Sequence, residues 1–223
     1  MGGARPLAAL ALLAVLGFGG MTGAAYAGGG GGGKPDAHVD ATGNPVLGGL
    51  AYDPEEVRVA VGDVVEWTNT DLLVPHTATD DHGLWRLAGD FGDPLGLFPK
   101  GFGPGESVSR PFDGGTFGYY CEVHGREAQH GVVEVRDRIK PVRRNGRQRL
   151  LVTWGNAKLP DGQVFDVQES STTMGGWRKV RRGTSRLSGT FPFTGQHFFR
   201  SRVRDTGKGG EASGWSPAVG IAF

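Results

Sequence analysis

Short runs of alternating hydrophobic and polar residues predict β-strands along most of the chain. Residues 56–61 place Val57, Val59 and Val61 on one face of a strand, and Val65 with Trp67 follows after a Gly62–Asp63 turn. The same period of two recurs later in the chain: Phe117, Tyr119 and Cys121; Leu150, Val152 and Trp154; Phe165 and Val167. Residues 132–135 add a final valine-rich strand to the first half. Because no stretch shows the 3.6-residue period of a capped helix, the predicted fold class is all-β.

The N-terminus is typical of an export signal. Arg5 precedes an apolar run from Leu7 to Phe18, and Ala25-Tyr26-Ala27 supplies the small residues that signal peptidases accept. We predict a signal peptide over residues 1–27 with cleavage after Ala27, and a flexible glycine-rich tether over 28–37. No apolar run in the chain is long enough for a membrane span. We therefore expect a secreted protein, extracellular or in the cell envelope, with no integral membrane segment in the mature chain.

Charge divides the chain into two halves. Residues 1–135 contain 7 Lys/Arg and 17 Asp/Glu, a net charge of −10, whereas residues 136–223 contain 17 and 6, a net charge of +11. This division predicts two domains, residues 38–136 and 137–223. The polar, basic stretch 136–149 is interpreted as a linker or as the first turn of the second domain.

Cys121 is the only cysteine, so it cannot form an internal disulfide. It is a spare thiol, an intermolecular link or a metal ligand. His124 follows it closely, and His76 lies just beyond the Trp67 strand. A thiolate with two imidazoles and a weak axial group is the donor set that binds copper for electron transfer. A single histidine is more often an ordinary surface residue, but the three side chains together favour a metal site.

The first domain resembles the plastocyanin-like blue-copper proteins, or cupredoxins. The resemblance is carried, in order, by YDPEEV (52–57), VGDVVEWTN (61–69), HTAT (76–79), GPGES (103–107), GTFGYYCEVH (115–124) and GVVEV (131–135). It implies a Greek-key β-sandwich with one copper ion per chain near one end. It also implies that His76, Cys121 and His124 are the three strong ligands. Thr77 directly follows His76 and is a candidate for tying the two ligand loops together.

The fourth ligand departs from that family. Relatives carry a methionine two residues before the glycine that opens the last strand, and Gln129 occupies that place here. An amide oxygen is a harder donor than a thioether and favours Cu(II), so Gln129 predicts a lowered reduction potential. Glu127 and His130 are alternative axial ligands.

The second domain resembles a fibronectin type III β-sandwich. VTW (152–154), FRSRVRD (199–205) and GWSP (214–217) carry this resemblance. Alternation places Arg200, Arg202 and Arg204 on one exposed face, and Arg178, Lys179, Arg181 and Arg182 belong to the same predicted sheet. Outward arginines are common in this family, and the alternative is a docking face for an anionic surface. Nucleic acid is not an expected partner, because the chain is exported and lacks an aromatic stacking platform.

These features predict an electron carrier that passes electrons to an unidentified redox protein and is not an enzyme. A copper oxidase or nitrite reductase needs further copper centres with paired histidines, and no such pairing is visible among His38, His82, His130 and His197. Two alternatives remain: a non-redox extracellular copper-binding protein, and a metal-free adhesion or scaffold protein.

Overall fold

The computed structural model describes residues 25–26, 34–44, 48–92, 96 and 99–221. The predicted signal peptide and glycine run lie outside these residues, except for Ala25–Tyr26, which forms a two-residue strand, β1. The predicted tether ends earlier than expected, since Asp36 donates its backbone N–H to Val64 O and β2 begins at Ala37. None of the described residues belongs to a helix long and apolar enough to cross a bilayer.

The first half of the chain forms a sandwich of two sheets. One sheet has the strand order β1-β4-β10-β9-β6-β7 and the other has the order β3-β2-β5-β8. The remaining strands of this sandwich are β2 (Ala37–Asn44), β3 (Gly48–Asp53), β4 (Glu56–Ala60), β5 (Val64–Asn69), β6 (Ala78–Asp80), β7 (Arg86–Leu87), β8 (Ser107–Pro111), β9 (Gly115–Tyr120) and β10 (His130–Arg136).

The predicted alternation positions the core of this sandwich. Val57 and Val59 on β4 are fully buried, as is Trp67 on β5, and Tyr119 on β9 packs against the Trp67 ring at 5.4 Å between ring centroids. β10 pairs antiparallel with β9, with His130 opposite Tyr120, and parallel with β4. The metal-binding residues predicted after β9 and before β10 are therefore brought to the same end of the sheet.

The second half forms another two-sheet sandwich, with strand orders β11-β12-β15 and β14-β13-β16-β17. Leu150, Val152, Phe165 and Phe199 fill its core with no exposed surface. The all-β fold with two sandwiches is thus confirmed. The strands are β11 (Arg138–Arg144), β12 (Arg147–Thr153), β13 (Gln163–Ser170), β14 (Arg178–Thr184), β15 (Ser188–Pro192), β16 (His197–Asp205) and β17 (Val219–Ile221).

The stretch interpreted as a linker or first turn is different in the structure. β10 ends at Arg136 and β11 begins at Arg138, so a single residue, Asp137, separates the strands of the two sandwiches. Asp137 is 2% exposed and accepts a hydrogen bond of 2.5 Å from the Ser201 hydroxyl. The sequence of residues 138–149 resembles that of a linker because β11 is an edge strand whose outward positions are mostly Lys and Arg.

The two sandwiches also contact each other through backbone groups. Gly114 N–H donates to Trp154 O at 2.8 Å, and Thr116 exchanges both backbone hydrogen bonds with Gly214. The carboxylate of Asp113 accepts the backbone N–H of Asn156 at 2.7 Å. The junction is therefore a hydrogen-bonded interface.

The predicted arginine face lies on β16, but it is not freely exposed. Arg202 and Arg204 are half-buried and both contact the Asp166 carboxylate, at 3.3 and 2.9 Å. Arg200 lies between the rings of Trp177 and Trp215, at 4.2 and 5.0 Å from their centroids. Because these side chains already have partners in their own domain, docking of an anionic surface there stays a prediction.

Candidate metal centre

Two loops at one end of the first sandwich carry the predicted site. His76 lies between β5 and β6, and its backbone exchanges two hydrogen bonds with Phe102, at 3.1 and 2.8 Å. Cys121 directly follows β9, and His124 lies in the turn before β10. That turn is closed by backbone bonds from Gly125 N–H to Cys121 O at 2.8 Å and from Gln129 N–H to Gly125 O at 3.1 Å.

The structure brings His76, Cys121 and His124 together. One ligand atom from each lies within 4.8 Å of the others, and no other group of three or more His, Cys, Asp or Glu side chains in the described part of the chain does so. Cys121 Sγ is 3.8 Å from His76 Nδ1. His76 and Cys121 are fully buried, whereas His124 is partly exposed, so His124 is the member of the cluster that reaches the surface.

Gln129 lies at the same point. Its Oε1 is 3.0 Å from His76 Nδ1 and 2.8 Å from His124 Nδ1. Its Nε2 donates to Ala51 O at 2.8 Å, which fixes the orientation of the amide and turns the oxygen toward the imidazoles. The side chain is 1% exposed, so this oxygen is held in a dry environment.

The alternative axial residues lie elsewhere. Glu127 is exposed on the turn. His130 is also exposed, and its Nε2 is 3.1 Å from the carboxylate of Glu55. The other described histidines likewise face carboxylates: His38 faces Asp40, His82 faces Glu211 and His197 faces Glu169.

The thiol is prepared to be a thiolate. Burial alone would raise the pKa of Cys121, but hydrogen bonds from His124, His76 and the Thr77 N–H outweigh it and lower the pKa to about 5. Burial similarly opposes the charged form of His124, yet its contact with Cys121 raises the His124 pKa above its ordinary value. A thiolate is the form of cysteine that binds metals.

Thr77 connects the two ligand loops, as predicted. Its backbone N–H lies 3.4 Å from Cys121 Sγ, and its hydroxyl accepts the Glu122 N–H at 2.9 Å. Its carbonyl accepts a hydrogen bond from Tyr52, a residue to which the sequence assigned no role at the site. Tyr52 packs against Tyr119 at 4.8 Å between ring centroids, which anchors the His76 loop to the core.

Asp71 was also missed as part of the site. Its side chain is only 4% exposed, and its Oδ2 lies 3.8 Å from His76 Nε2. The available signal was a carboxylate five residues before a predicted ligand and directly ahead of two leucines, Leu72 and Leu73.

The donor set fits copper. A thiolate and two imidazoles converge on one point, and a single amide oxygen faces the same point. Soft thiolate with imidazole selects copper, and a weak oxygen donor is a known axial group of electron-transfer copper sites.

Comparison with known proteins agrees with this geometry. No family model matches the chain. Plastocyanin of Scenedesmus fuscus is 33% identical over 89 residues, which are 40% of this chain and 89% of that protein.

Solved structures show partial likenesses. A purple cupredoxin from Nitrosopumilus maritimus is 28% identical over 44% of this chain and 98% of its own, with a TM-score of 0.32. A copper-containing nitrite reductase from Thermus scotoductus SA-01 is 22% identical over 47% of this chain and 23% of its own, with a TM-score of 0.33. An Fn3-like protein from Clostridium thermocellum is 13% identical over 39% of this chain and 88% of its own, with a TM-score of 0.30. On the identity and coverage of the Scenedesmus protein, the chain belongs to the plastocyanin family of copper electron-transfer proteins.

Proposed function

We propose that this protein is an exported electron carrier with one copper ion held by His76, Cys121, His124 and Gln129. The observation that carries the proposal is the position of Gln129 Oε1, within 3.0 Å of both imidazole Nδ1 atoms in the cluster that contains Cys121. Domain boundaries near residues 38–136 and 137–223, and release of the chain after Ala27, are part of the same proposal.

The residues around the site favour electron transfer with little rearrangement. A copper ion bound there would supply one-electron redox chemistry and no bond-making step. The packed sandwich holds the ligand side chains, and the Thr77 N–H fixes the Cys121 sulfur. His124 is the partly exposed residue of the proposed ligand set, so electrons would enter and leave through its ring.

The surface near the site fits a redox protein as partner. Leu72 and Leu73 are 84% and 71% exposed on the loop that carries His76. Exposed leucines beside a ligand loop offer an apolar contact area that a partner can bury without a salt-dependent ion pair.

A visible-absorption titration with Cu(II) tests the proposal, with the chain expressed from Gly28 and Cys121→Ala as the matched variant. We expect an intense thiolate-to-copper band that saturates at one copper per chain and is absent in the variant. Voltammetry should then show a reversible one-electron couple. A chain that binds no copper contradicts the proposal, and a chain that binds copper without a reversible couple is a non-redox copper-binding protein.

A further inference from the structure

The buried His76 ring has a second nitrogen whose role the cluster does not explain. Nδ1 faces Gln129 and Cys121, while Nε2 points to the opposite side and lies 3.8 Å from Asp71 Oδ2. Neither of these two buried atoms has a hydrogen-bond partner among the described residues. Buried polar atoms are rarely left unpaired. Two unpaired atoms that face each other therefore suggest a hydrogen bond that forms when the site holds a metal ion.

Metal chemistry supplies the reason for that contact. A histidine that binds a metal through Nδ1 keeps its proton on Nε2, and such histidines donate this proton to a carboxylate or carbonyl oxygen. We propose that Asp71 is the positioning residue of His76: its Oδ2 accepts the Nε2 proton, fixes the ring plane and places a negative charge behind the ligand. The inference rests on the proposed function, since it concerns His76 as a copper ligand.

The Asp71 carboxylate is held in place by its other oxygen. Oδ1 accepts the backbone N–H groups of Leu72 and Leu73, at 2.6 and 3.1 Å. The Asp71 backbone N–H donates to Asn69 Oδ1 at 2.8 Å. The side chain therefore cannot turn away without losing the two hydrogen bonds to Oδ1, and Oδ2 stays directed at His76.

The charge of this carboxylate is not neutralised by a basic side chain. Among the described residues, the only ion-pair contact of Asp71 is with His76. Asn69, which supports the Asp71 backbone, is itself anchored through Nδ2 to the carbonyls of Val74 and Phe102, both at 2.9 Å. A fixed negative charge close to a copper ligand stabilises Cu(II) relative to Cu(I), because the oxidised ion has the larger positive charge. Asp71 therefore lowers the reduction potential together with Gln129.

The test compares the copper-loaded full chain with Asp71→Asn, Asp71→Glu and Asp113→Asn. Asp71→Asn keeps an oxygen for the Leu72 and Leu73 N–H groups but removes the charge, and Asp71→Glu keeps the charge. Asp113→Asn is the matched control, since it neutralises a buried carboxylate of the same sandwich that contacts Asn156 at the domain junction.

Two readouts distinguish positioning from a merely structural role. The reduction potential should rise in Asp71→Asn, stay near the parent value in Asp71→Glu and remain unchanged in Asp113→Asn. In the diamagnetic Cu(I) form, NMR should show a slowly exchanging His76 Nε2 proton that exchanges faster in Asp71→Asn.

The outcomes separate this inference from the function beneath it. An Asp71→Asn chain that takes up one copper with unchanged potential and unchanged ring-proton exchange overturns the role of Asp71 and leaves the electron carrier intact. A parent chain that binds no copper overturns the proposed function instead.

Discussion

At the scale of single residues, the proposed role of Gln129 rests on the orientation of its amide. Its nitrogen is bound to the Ala51 carbonyl, and its oxygen faces the Nδ1 atoms of His76 and His124. A neutral oxygen in the place of a thioether is a harder donor and favours the harder Cu(II) ion. The anchored nitrogen matters as much as the oxygen, because it prevents the amide from rotating to present an N–H group.

We expect Gln129→Met to raise the reduction potential and to retain an intense thiolate-to-copper band. The thioether replaces the harder oxygen while Cys121 and the two histidines remain. Voltammetry and absorption spectra of the copper-loaded chain measure both effects.

Glu127→Gln and His130→Asn are the controls for that change, because both side chains are exposed and lie outside the cluster. Neither should alter the spectrum or the potential. A shift in either control, together with an unchanged Gln129→Met chain, would assign the axial position to the shifted residue.

At the scale of elements, the pairing of β9 with β10 holds the turn between them, residues 121–129, which carries three of the proposed ligands. Gly131 is the second residue of β10, two positions after Gln129, and it pairs with Tyr119 on β9 and lies against the Tyr119 ring. A Cβ atom at Gly131 would come within 2.5 Å of the Tyr119 hydroxyl and 2.9 Å of the Glu55 carbonyl. Both neighbours are rigid, since one is backbone and the other is a fully buried ring.

Gly131→Ala should therefore reduce the free energy of unfolding by about 1–3 kcal/mol, the usual effect of overpacking. Urea unfolding of the metal-free chain measures it. Gly92→Ala is the control, because its Cβ would meet only the flexible Lys100 side chain at 3.6 Å. Equal stabilities for the two variants would contradict this account of the β9–β10 contact.

The elements also show what the sequence could predict. The Val57, Val59 and Trp67 pattern located core strands because inward residues of a two-sided sandwich must be apolar. β11 was missed because an edge strand with outward cations lacks that contrast. The three strong site residues carried a recognisable order, but the orientation of Gln129 depends on a carbonyl 78 positions away and the burial of Asp71 on packing. Such long-range contacts leave no local pattern.

At the scale of the whole molecule, the junction between the sandwiches is the unexpected feature. Asp137 is buried there with one oxygen bound to Ser201 and the other, Oδ2, without a hydrogen-bond partner in the described residues. Burial raises the pKa of Asp137 to about 7, and the Ser201 hydrogen bond lowers it only in part. The folded protein therefore prefers the protonated carboxyl.

This pKa predicts a loss of stability with rising pH. An aspartate that titrates near 7 when folded and near its ordinary value when unfolded stabilises the fold fully only below that ordinary value. Between these two pKa values the contribution to the free energy of unfolding falls by about 1.4 kcal/mol for each unit of rise in pH. Asp137→Asn stays neutral, so its stability advantage over the parent should grow from pH 4.5 to pH 8.

Guanidinium unfolding at several pH values measures this difference. Asp161→Asn, at a fully exposed side chain of the same sandwich, should follow the parent at every pH. Parallel pH profiles for the parent and Asp137→Asn would contradict a raised pKa at the junction.

The one-residue junction has a consequence for how the carrier meets other proteins. With Thr116 bound to Gly214 through both backbone groups, the second sandwich cannot swivel freely against the first. A contact that fixes the second sandwich therefore also fixes the orientation of His124. We therefore expect the two sandwiches to move as one unit, so that a redox partner bound to the second sandwich would meet His124 in a single orientation.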